Sequence, residues 1–156
     1  MSQSSAWLLH CGDSISLAVG DQEMVEVVQG HSSQQVPGLP DYCSRTVQWQ
    51  DQTIQVLDVA ALNSDENLIP QDSYLCILNY QEAPNHTIKQ IALRVGDAPE
   101  RIQVDDSQFC DMPPDLAANL LMQVTLSSFT HNNRTVLVLD IAKLCSAEFR
   151  DMVAAV

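Results

Sequence analysis

Short runs rich in Val, Ile and Leu recur along the chain, with turn residues between them. Ile15, Leu17 and Val19 alternate with smaller residues, the two-residue period of a strand. Ala6–Cys11 precedes them across Gly12-Asp13, and Gly20-Asp21 closes the pair. Met24–Val28 is a short apolar segment, either strand or helical turn. Residues 30–41 are rich in Ser, Gln, Pro and Gly and read as loop. Cys43–Gln48 and Thr53–Leu57 flank Gln50-Asp51 and predict a hairpin, after which Asp58 opens a helical turn through Leu62. Tyr74–Tyr80 and Ile88–Val95 predict a second hairpin, and Arg101–Val104 a short strand. Leu120–Thr130 and Thr135–Leu139 predict a third, turning at His131-Asn132-Asn133. Ser146–Val156 predicts a terminal helix, with Ser146 as N-cap and Glu148 in the first turn. No segment keeps a long 3.6-residue period, which argues against a helical bundle. The expected class is all-β with short helices: two small barrels or sheets packed together, and a C-terminal helix.

The pattern also repeats. D-Q-T-I-Q-V-L-D-V-A-A-L at Asp51–Leu62 matches N-R-T-V-L-V-L-D-I-A-K-L at Asn133–Leu144. I-S-L-A-V-G-D from Ile15 matches I-A-L-R-V-G-D from Ile91. The near-equal offsets suggest one duplicated unit, with copies over about 15–62 and 91–144 inside a single domain spanning 1–156. The polar stretch 63–72 is the expected connection between them.

Composition narrows the partners. The 156 residues carry a formal charge of −13, and Arg45 is the only Lys or Arg before Ile88. Such a surface repels phosphate backbones and anionic lipid, so neither nucleic acid nor direct membrane insertion is expected. It would attract a basic protein surface, or serve solubility alone. No apolar run approaches the length of a membrane helix, and the start lacks a signal-peptide plan, so a cytoplasmic location is expected. The five cysteines are odd in number and widely spaced, and read as small apolar residues rather than a disulfide framework.

Asp58 and Asp140 are the sharpest chemical candidates, because repeat-related carboxylates can form a catalytic dyad. Each also stands where an N-cap belongs, and the bulky Val59 and Ile141 that follow disfavour a dyad. The acidic loop Asp105–Asp115 lacks the order of a calcium loop, and the four histidines fit no close metal spacing. No metal, cofactor or catalytic residue is therefore assigned. What remains is surface. Trp49 lies beside a predicted turn and is the better interface candidate, while Leu39 and Tyr42 divide between interface and core.

The order of these pieces resembles the CheW-like family of bacterial chemosensory coupling proteins, from Trp7 to Leu144. The residues that carry the resemblance are Ile15–Val19 with Met24-Val25-Glu26-Val27, the proline loop Pro37–Tyr42, Thr53–Leu62, and Val136–Leu144. The resemblance implies two pseudo-symmetric five-stranded β-barrels sharing a core. It implies an adaptor rather than an enzyme, with a chemotaxis-type histidine kinase regulatory domain and a chemoreceptor cytoplasmic tip as partners. It also places Glu26 on the coupling surface. The family's G-V-I-N-L-R-G falls on Arg45–Asp51, so its arginine is Gln50 here and its final glycine is Asp51. That departure looks like the accessory CheW-like proteins of type IV pilus chemosensory systems. The surface expected to bind protein is thus Glu26, Leu39, Tyr42, Trp49 and Gln50. Two rivals stay open: a small β-barrel enzyme using Asp58 and Asp140, and a small-ligand module in the groove between copies.

Overall fold

Apolar runs without strict alternation, such as Leu75-Cys76-Ile77-Leu78, suit strands buried on both faces. A computed structural model describes residues 3–11, 15–29, 32–62, 74–110 and 120–155. Its first half holds β1 (Gln3–His10), β2 (Ser16–Gly20), β3 (Met24–Gln29), β4 (Gln34–Gln35), β5 (Arg45–Trp49) and β6 (Gln52–Leu57). Its second half holds β7 (Tyr74–Tyr80), β8 (Lys89–Val95), β9 (Glu100–Asp105), β10 (Phe109–Cys110), β11 (Thr125–His131) and β12 (Arg134–Leu139). Two helices, α1 (Ile141–Leu144) and α2 (Ala147–Ala154), follow.

The strands form two six-stranded sheets among the described residues. One runs β10-β11-β12-β2-β1-β9, the other β3-β7-β8-β6-β5-β4. Exchanging β1–β6 with β7–β12 turns either order into the other. Each sheet takes four strands from one half of the chain and two from the other. Each also contains one parallel pair, β12 beside β2 and β6 beside β8. The all-β class with a C-terminal helix holds. The count is six rather than five because the two-residue strands β4 and β10 each add an edge. Among the described residues, neither strand order closes on itself by pairing.

Both sheets curl. Val104 of β9 and Phe129 of β11 share one apolar cluster although three strands lie between them. Val28 of β3 packs with Val47 of β5 in the same way. A larger cluster lies between the sheets. Single strands feed two clusters at once. In β7, Cys76 and Leu78 face the central core, while Leu75 and Ile77 face the interior of their own sheet. That double burial explains why alternation alone underread these strands.

The three predicted hairpins pair as expected. Gln50 and Asp51 both have positive φ, 47° and 62°, and so do Asn132 and Asn133, 50° and 65°. Both tips use the left-handed pair of turn residues that matches strand twist. Two expectations change. Leu120–Val124 is a 3-10 helix rather than strand, and the loop over 30–41 contains β4. The predicted connection 63–72 lies outside the described residues, as do Asp111 and Asp115 of the acidic loop. Ser146 caps α2 as expected, its Oγ accepting from Phe149 N at 3.1 Å. The Phe149 ring then meets Tyr42 edge-on at 5.5 Å.

Candidate protein-docking surface

β3 is an edge strand, so among the described residues one side of its backbone has no strand partner. A bulge between Met24 and Glu26 interrupts its pairing with β7. Val25 and Val27 are 42% and 39% exposed, large for β-branched side chains on a strand. Glu26 stands between them and is also exposed. Its Oε2 accepts from Trp49 Nε1 at 2.6 Å. Trp49 ends β5, at the far side of the same sheet, and reaches Glu26 because the sheet rolls over. The indole body packs on the cluster of Val47, Ile54 and Ile77 while its N–H holds the carboxylate. This is the division of labour expected of an aromatic group with one polar edge. Gln50, exposed at the turn, follows directly.

Glu26, Trp49 and Gln50 thus come together as one surface. Leu39 and Tyr42 do not join it. Tyr42 is 2% exposed, sits in the central core and packs on Phe149, so its ring is not offered to a partner. Burial also raises its phenol pKa, consistent with a core role. Leu39 is half-buried against the same core. Gly38, at φ +88°, lets that proline loop turn inward. Val25 and Val27 escaped the sequence reading. Valines occupy both parities of Met24–Val28, so the pattern does not say which face looks outward.

The carboxylate dyad is overturned. Asp58 Oδ1 accepts from Ala60 N at 3.1 Å and caps the 3-10 turn Val59–Leu62. Asp140 Oδ1 accepts from Lys143 N at 3.2 Å and caps α1. The two sites match in backbone as well: Asp58 N donates to Tyr42 O at 2.8 Å, and Asp140 N to Val124 O at 2.7 Å. Asp58 is buried, and desolvation raises its pKa despite Arg94 nearby. No disulfide forms among the cysteines. Burial pushes the Cys76 and Cys145 thiols up to about 12, so they stay protonated at neutral pH. Cys110 is exposed, unlike the buried Cys11, Cys43 and Cys76. Among the described residues, no helix is long and apolar enough to cross a membrane.

Two curled sheets sharing a core, carboxylates tied up in caps and an edge strand with outward valines define a class: a β scaffold whose business is at its surface. The chain belongs to the CheW-like domain family, which matches residues 6–149. CheW scaffolding proteins are non-catalytic adaptors of chemotaxis signalling. The fold is that of the scaffolding protein TtCheW from Thermoanaerobacter tengcongensis, whose crystal structure superimposes with a TM-score of 0.71 at 14% identity, over 88% of this chain and 89% of that one. No curated protein matches the sequence.

Proposed function

We propose that the protein is a cytoplasmic adaptor coupling a chemoreceptor tip to the regulatory domain of a chemotaxis-type histidine kinase. The observation that carries this is the β3 edge, where Val25 and Val27 flank a glutamate held in place by Trp49. Exposed apolar side chains on an edge strand are what a helical partner can bury, and a fixed charge on the neighbouring face of that edge can set register. Gln50 stands at the rim, where the resemblance places an arginine. An amide there supplies neither the charge nor the forked donors of a guanidinium. That loss supports an accessory member of the family, working in a type IV pilus system that drives twitching motility. Leu39 acts by supporting the loop from beneath rather than by touching the partner.

Gel filtration with a receptor cytoplasmic hairpin and the kinase regulatory domain tests the reading. We expect the adaptor to bring both into one ternary complex. Elution of all three as separate species, at concentrations well above the micromolar range, would remove the proposal.

A further inference from the structure

At one buried position the two halves differ in charge. Ala18 of β2 lies in the apolar cluster of its sheet, against Leu8 and Phe129. Its counterpart in I-A-L-R-V-G-D is Arg94 of β8, only 5% exposed. Among the described residues, no acceptor lies within hydrogen-bond distance of Arg94 Nε or Nη2. Nη1 stands 3.9 Å from Asp58 Oδ2, an ion pair too long for a hydrogen bond. Asp58 already spends its other oxygen on Ala60 N. A buried guanidinium without acceptors is costly, and an alanine would fill the site at no such cost.

Arg94 lines a cavity of about 230 Å³ together with Gln35, Asp41, Ser44, Arg45 and Asp58. Arg45 is the only Lys or Arg among the first 88 residues, in a chain of net charge −13. Its Nη1 donates to Ser33 Oγ at 3.2 Å, which steadies it at the cavity. Two guanidinium groups therefore share one cavity in a protein poor in cations. They repel each other: Arg45 helps burial lower the Arg94 pKa, and Asp58 offsets this only in part.

From this geometry we infer that the cavity beside Arg94 and Arg45 is a binding site for a carboxylate group. A planar carboxylate fits the forked donors of a guanidinium through two parallel hydrogen bonds. The two arginines and two aspartates of the lining cancel, so a singly charged carboxylate leaves less uncompensated charge than a phosphate dianion would. The carboxylate comes either from a free organic acid or from an acidic side chain of a protein partner. The site is independent of the β3 surface, and failure of the adaptor reading would leave it standing.

The test follows arginine Nε–H resonances in ¹H–¹⁵N spectra of the full chain as propionate is added, with ionic strength held constant by sodium chloride. We expect one Nε–H signal to move saturably. Arg94→Met should abolish saturation at residues around the cavity, and Arg45→Gln should weaken binding by about tenfold, the worth of one charge-assisted pair. Arg45 is only half-buried, so Arg45→Gln remains informative if the Arg94 variant fails to fold. Acetyl-glutamate methylamide is titrated alongside. Tighter binding of the blocked glutamate assigns the site to a partner side chain, and tighter binding of propionate to a free acid. Shifts that do not saturate, or that are unchanged by Arg45→Gln, would overturn the site. Inorganic phosphate binding more tightly than either carboxylate would overturn its assignment.

Discussion

Trp49 and Glu26 are 23 positions apart and are joined by one short hydrogen bond across a rolled sheet. Trp49→Phe keeps most of the packing and removes the donor. We expect a loss of about 1 kcal/mol, read as a lower urea midpoint at unchanged slope. Asp58 offers a second test, in pH. Its folded pKa lies above the unfolded value because burial outweighs Arg94. The contribution of this group is therefore present in full below the unfolded carboxylate value and is lost as pH rises through the folded one. The asparagine introduced by Asp58→Asn can still cap through its amide oxygen and does not titrate. The stability of Asp58→Asn relative to the wild type should accordingly rise in urea titrations as pH is raised from below the ordinary carboxylate range to above it. A constant difference would mean that Arg94 balances the burial cost. At this scale the sequence was half readable. The caps at Asp58, Asp140 and Ser146 follow from side-chain chemistry beside a strand or helix start. The Trp49–Glu26 bond does not, because it depends on how far the sheet curls.

Among the elements, the hairpins and α2 were legible and the edges were not. Turn residues mark hairpins locally, and the family's glycine at the Asp51 position makes sense once φ there is 62°. Two-residue strands such as β4 and β10 carry too few side chains to leave a pattern. Leu120–Val124 reads as strand from its apolar run, yet it coils so that Leu121 and Val124 both reach the central core. α2 covers that core through Phe149, and its cap holds the helix there. Ser146→Ala removes the acceptor for Phe149 N, and we expect it to cost about 1 kcal/mol. Thermal unfolding should register this as a lower midpoint. An unchanged midpoint would show that Phe149 packing alone seats the helix.

At the scale of the whole molecule, each sheet borrows two strands from the other half, so neither half can complete its sheet alone. We infer that a tandem doubling produced this arrangement. The near-equivalent halves differ at their surfaces and cavities: β3 presents valines and a pinned glutamate, and Arg94 stands where the other half has Ala18. The adaptor reading rests on the β3 surface. The most direct measurement is a calorimetric titration of the receptor hairpin into the wild type and into Val27→Asp. Val27 is exposed, so the substitution should leave the fold intact, and urea unfolding checks that it does. We expect the wild type to bind and Val27→Asp to lose at least about tenfold in affinity, since a carboxylate would replace an apolar contact at the interface. Equal affinity for the two proteins would contradict docking at β3.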